Sequence, residues 1–175
     1  PASGGKTACS LAYEFELPYL ISNINHQPKD ASADADSSPT ALTVVGGAIF
    51  FTADNGESGR ELWKSDGTED GTGLVKDVWE GFQSSGPSLL TPFSDYLVFV
   101  ANNGANGSEL WKSDGTEEGT VLVKDINNSS STDAPAEITI HQGLIFFSAY
   151  DATNGTELWK SDGTEAGTVV LNNTL

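Results

Sequence analysis

Apolar residues along this chain come in short runs such as Ala48-Ile49-Phe50-Phe51, and polar or glycine-rich stretches interrupt every run at strand length. Glycine, β-branched and aromatic residues with short polar punctuation favour strands and tight turns over helices. Between 87 and 126 the pattern predicts strands at Ser88–Phe93 and, after a polar turn at Ser94-Asp95, at Tyr96–Ala101. A glycine-rich loop, Asn102–Gly107, leads into a third strand at Glu109–Ser113. A turn at Asp114–Thr120 then precedes a fourth at Val121–Ile126.

The same pattern occurs three times. Glu61-Leu-Trp-Lys-Ser-Asp-Gly-Thr-Glu69 recurs at Glu109–Glu117 and Glu157–Glu165, an offset of 48 residues each time. The register holds upstream: Pro39, Pro87 and Pro135 align, as do Phe51, Phe99 and Phe147, and Gly59, Gly107 and Gly155. The chain therefore divides into an N-terminal segment, 1–38, and a three-repeat β domain, 39–175, with repeats near 39–78, 87–126 and 135–174. Asp66-Gly67, Asp114-Gly115 and Asp162-Gly163 are turn dipeptides, in which glycine tolerates positive φ and the carboxylate accepts backbone N–H bonds. The following Thr and the second Gly-Thr pair close each hairpin.

Four strands per repeat match a propeller blade, or one lobe of a threefold trefoil or prism. The expected fold is all-β. Tyr19-Leu-Ile-Ser-Asn-Ile24 resembles the last strand of a repeat, Val121–Ile126, so the N-terminal segment is expected to hold one extra strand beside an acidic loop. Closed propellers need four to eight blades, so three would leave open edges and apolar faces. Propeller-like blades completed by a second chain are the expectation, as a homo- or hetero-oligomer, and a monomeric β-trefoil or β-prism is the alternative. The signature Glu-Leu-Trp-Lys-Ser-Asp-Gly-Thr-Glu-x-Gly-Thr, over 39–175, resembles that of the ELWxxDGT-repeat family. This resemblance implies an extracytoplasmic, propeller-like tandem repeat, but no particular activity, and three units are fewer than the long arrays usual there.

Eight basic against 25 acidic residues, a net charge of −17, argue against nucleic acid and anionic membrane surfaces as partners. No apolar stretch approaches the roughly 20 residues of a membrane span. The acidity suits a secreted, extracellular protein. The opening at Pro1, with no basic n-region or apolar h-region, fits a processed chain or simply a chosen boundary. Asn106, Asn127, Asn128, Asn154 and Asn172 fit N-x-S/T and are glycosylation candidates. Cys9, the single cysteine, is a candidate for an intermolecular disulfide.

Repetition points to multivalent binding of a lectin-like, carbohydrate-binding kind. Trp63, Trp111 and Trp159 offer indoles able to stack on sugar rings, against the plain reading that they fill space between sheets. Trp79 has no counterpart in the other repeats and is a further contact candidate. Asn55, Asn103 and Asp151 stand in the loops before each signature, where oxygen donors suit sugar hydroxyls or Ca²⁺, or simply form turns. Asp30, Asp34 and Asp36 read as an acidic loop with weak cation-binding potential. The recurring Glu61, Glu109 and Glu157 are expected to pair with lysines across strands, as Lys64, Lys112 and Lys160 recur with them. His26 and His141 fall at unrelated positions, and no catalytic constellation emerges, so no enzyme and no obligate cofactor are predicted. A structural or matrix protein is the alternative, and a glycosidase-type enzyme ranks third.

Overall fold

A computed structural model describes residues 20–25, 36–127 and 133–171. Among them every element is a β-strand, in three separate four-stranded antiparallel sheets. The first sheet holds β1 (Thr40–Val45), β2 (Ala48–Asp54), β3 (Arg60–Ser65) and β4 (Gly73–Lys76). The second holds β5 (Ser88–Phe93), β6 (Tyr96–Asn102), β7 (Ser108–Ser113) and β8 (Val121–Lys124). The third holds β9 (Ala136–His141), β10 (Leu144–Asp151), β11 (Gly155–Ser161) and β12 (Val169–Val170). Each is a meander in which sequence neighbours pair.

Two-residue turns join the first two strands of each sheet, closing Val45 on Ala48, Phe93 on Tyr96 and His141 on Leu144. Their first turn residues, Gly46, Ser94 and Gln142, all have positive φ, as the twist of such hairpins requires. The first strands carry a bulge at one repeated position, where Ala41, Leu89 and Glu137 take φ of 57°, 53° and 57°. In each bulge the hydroxyl of the Thr two residues on (Thr43, Thr91, Thr139) donates to the carbonyl of that left-handed residue. The local bond offsets part of the left-handed cost. First strands of successive sheets lie next to one another, and they leave Leu42, Val44, Leu89 and Ile140 exposed.

The core lies between sheets. Phe50, Leu62 and Val75 of the first sheet pack on Leu97, Phe99, Ala101 and Trp111 of the second, with Val78 of the linker in the same cluster. One repeat later, Val98, Leu110 and Val123 pack on Ile145, Phe147, Ala149 and Trp159, now with Ile126. Ahead of the first sheet, Ile24 closes on Phe51, Ala53 and Trp63. Ile24 thus takes the place that Val78 and Ile126 hold at the inner junctions, in keeping with the likeness of Tyr19–Ile24 to a repeat end. Residues 20–25 nevertheless form no strand, and the fourth strands stop at Lys76 and Lys124 before the linker residue is reached. Cys9, His26, Asp30, Asp34, Asn128 and Asn172 lie outside the described residues.

Candidate functional site: the repeat junction and its open end

Each signature builds a turn in which nearly every residue has an assigned bond. Asp66 Oδ1 accepts from the Thr68 amide at 2.9 Å and from the Thr68 hydroxyl at 2.7 Å. The Gly67 amide donates to Ser65 Oγ, the Gly71 amide to Thr68 Oγ1, and Thr72 Oγ1 to the Thr68 carbonyl. Ser65 and Thr72 hydroxyls share a bond of 2.6 Å that ties the two ends together. The same set recurs around Asp114 and Asp162. Thr68, Thr116 and Thr164, donating through side chain and then backbone, hold these aspartates below the usual carboxylate range. The second glycine is required by space: a Cβ on Gly71, Gly119 or Gly167 would stand 1.9, 2.0 or 2.1 Å from the aspartate oxygen.

These turns are also acceptors for the preceding sheet. Lys64 Nζ donates to the Gly115 carbonyl at 2.5 Å, and Lys112 Nζ to the Gly163 carbonyl at 2.9 Å. A second lysine repeats the move, Lys76 to Thr120 O at 3.1 Å and Lys124 to Thr168 O at 3.0 Å. Every link runs from one repeat to the next. The glutamates work differently from the expected cross-strand ion pairs. Glu61 is fully buried and accepts from the Ser85 and Val78 amides and the Ser85 hydroxyl, so it caps the linker to the second sheet. Glu109 accepts from the Ile126 and Asn127 amides in the same way. Burial raises both carboxyls to about 7 against these bonds, and Asp77 and Asp125 add smaller repulsions. Charge pairing fails for a geometric reason: Glu61 stands opposite Ala53, and Lys64 opposite Phe50.

The third sheet breaks the pattern. Leu62 and Leu110 are 0% exposed, but their counterpart Leu158 is 50% exposed. Phe146, equivalent to buried Phe50 and Val98, is only half-buried. Among the described residues Lys160 has no carbonyl acceptor, whereas Lys64 and Lys112 each have one. The turn of the first sheet shows the opposite vacancy. Gly67 is exposed, and among the described residues nothing lies within 4 Å of a Cβ built on it. Gly115 and Gly163 are buried, their Cβ positions 3.0 Å from Phe50 Cζ and 2.2 Å from the Tyr96 hydroxyl.

The residues singled out for ligand contact are mostly engaged in the fold. Trp63, Trp111 and Trp159 are 8%, 6% and 6% exposed within the clusters between sheets. The Trp159 indole donates to Ala149 O at 3.2 Å, while the indole nitrogens of Trp63 and Trp111 are buried without a partner. Trp79 is half-buried, its Nε1 2.5 Å from where a Gly104 Cβ would stand. Asn55 Oδ1 accepts from Glu57 and Ser58 amides, Asn103 Oδ1 from Ala105 and Asn106, and Asp151 Oδ1 from Thr153 and Asn154. They shape their own loops. Among the glycosylation candidates, the Asn106 and Asn154 amides donate to Asp125 and Asp151, and Asn127 is buried. Asp36 Oδ1 accepts from the Ser38 amide. No three His, Cys, Asp or Glu side chains converge on a metal-sized site among the described residues.

Two open clefts occupy equivalent places. Ala48, Lys64, Ser65, Asp66 and Gly71 line one of about 360 Å³, and Tyr96, Lys112, Ser113, Asp114 and Gly119 one of about 290 Å³. Sequence reading missed two things: the glutamate caps and the inter-repeat lysine links. The recurrence of Lys and Glu was the available signal. No family model, curated protein or solved structure matches this chain.

Proposed function

We propose that the chain is a non-enzymatic association scaffold, an arc of three propeller-like blades that works by receiving further blades on the open face of its third sheet. The observation that carries this reading is Leu158, half exposed at the one copy of a position that is otherwise fully buried. Burying a leucine of this kind contributes about 1.5–3 kcal/mol. The exposed Leu42, Val44, Leu89 and Ile140 on the first strands support the same reading, because further blades would enclose that strip. Sedimentation equilibrium at micromolar concentration tests it. The protein should sediment above 18.4 kDa, and Leu158→Asp should return it to that mass with an unchanged circular dichroism spectrum. A wild-type species that stays at 18.4 kDa overturns the reading.

A second reading, multivalent binding of a small polar ligand such as a sugar, is favoured by the two equivalent clefts at 48-residue spacing. Titration calorimetry with monosaccharides tests it. Saturable heat that Lys112→Met reduces and that Lys64→Met with Lys112→Met abolishes supports the reading, and no heat at millimolar sugar rejects it.

A further inference from the structure

We infer that the occupant of the open third-sheet face is a second copy of this chain, docked head to tail through the signature turn of its first sheet. This rests on the association reading and adds partner, direction and contact residues. The two inner junctions supply the template. At each, a lysine on the third strand and an aromatic residue on the second strand of one sheet meet the Asp-Gly turn of the next: Lys64 and Phe50 meet Gly115, and Lys112 and Tyr96 meet Gly163. The third sheet presents the donor half of a further junction, Lys160 with Phe146 and Leu158, and no acceptor meets it among the described residues. The first sheet presents an acceptor half, the Gly67 turn, with no described residue above it.

The two halves have complementary chemistry. An ammonium on the donor side meets a carbonyl flanked by Asp66, Glu69 and Asp70 on the acceptor side. In a chain of net charge −17 a lysine is an uncommon attractor for another copy, and the copy's own acidic turn is the group it suits. The acceptor sheet is already closed over Phe51 and Trp63 by Ile24. The Gly67 turn stays open, and so does Ile49, which pairs with Ser65 at its base and is 37% exposed where its equivalents Leu97 and Ile145 are fully buried, so contact centres on Gly67 and Ile49. A head-to-tail interface of this kind is heterologous, so two chains with one donor and one acceptor end each can close on themselves. Six sheets fall within the four to eight that close a propeller.

The test uses two variants of the full chain. Leu158→Asp disables the donor face. Gly67→Asn disables the acceptor: asparagine is the residue besides glycine that most readily adopts positive φ, and free space surrounds this position in the single chain. Docked, its side chain would collide with Phe146, as a Cβ on Gly115 would press on Phe50. Circular dichroism and thermal melting confirm that both variants fold. Sedimentation at about 10 µM should then give an assembly for wild type, 18.4 kDa for each variant alone, and a species of twice that mass for their equimolar mixture, which retains one intact junction. Wild type at 18.4 kDa overturns the association reading itself. Wild type that assembles while Gly67→Asn assembles equally well, or a mixture that stays at 18.4 kDa, overturns the head-to-tail docking alone.

Discussion

The second and third sheets carry the same nine residues, Glu109–Glu117 and Glu157–Glu165, and differ in their neighbours in space. In the second, Glu109 and Leu110 are buried by the linker and by the third sheet, and Lys112 reaches a carbonyl 51 residues on. In the third, Leu158 is exposed and Lys160 lacks such a carbonyl among the described residues. Identical sequence thus has two energetic roles. The turn, from Ser to the last Thr, is complete within one repeat, whereas the Glu-Leu-x-Lys face is half of an interface.

The sharpest way to break this comparison is one substitution at both copies. Leu110→Asp places an uncompensated charge in a closed cluster, at a cost of several kcal/mol, and should prevent folding. Leu158→Asp should change single-chain stability by no more than about 0.5 kcal/mol. Urea denaturation followed by tryptophan fluorescence reads both, and equal losses would show that the third face is closed.

Next in size is a pH effect. Glu61 and Glu109 titrate near 7 when folded, against an ordinary value of 4.5, so the folded chain holds protons that the unfolded chain has released. Their contribution is full below about 4.5 and is lost as pH rises through about 7. At 1.36 kcal/mol per unit, each carboxyl supplies roughly 3 kcal/mol at most. Denaturation midpoints should therefore be higher at pH 5 than at pH 8, and Glu109→Gln should flatten that difference by about half. A protein that is steadily more stable from pH 5 to 8 would contradict this account.

Gly119→Ala and Gly71→Ala probe the turn itself. Each forces a methyl within 2 Å of an aspartate oxygen, and each should cost about 2 kcal/mol whatever sheet it lies in. Unequal melting losses would show that the turn depends on its neighbour after all. The smallest expected effect belongs to the lysines. Lys112→Met loses a charged hydrogen bond and should cost about 1 kcal/mol, whereas Lys160→Met should cost close to nothing in the single chain.

The turns, the strand pattern and the repeat offset are legible in the sequence because they are local: Asp, Gly and Thr act on atoms a few positions away. Strand β5 runs Ser88–Phe93 as the pattern predicts, and β6 extends one residue beyond Ala101. The roles of Glu61 and Lys64 are not legible in this way, since their partners lie 17 to 51 residues on and belong to a linker or to another sheet. Residue type was a poor guide where one group has two uses. An Asn or Asp loop oxygen can meet a ligand or its own amides, and Asn55, Asn103 and Asp151 meet the amides. An indole can stack on a sugar or fill a junction, and the three repeat tryptophans sit in the junctions.

The bulge in the first strands has a consequence for misassembly. Three similar edge strands lying side by side have the makings of one continuous sheet, which would zip the units together along the wrong axis. The left-handed residues at Ala41, Leu89 and Glu137 interrupt the spacing of N–H and C=O groups in mid-strand. A neighbouring strand can match such an edge over a few residues and no further. The kink keeps adjacent units distinct, and it denies stray extended chains a straight edge on which to grow.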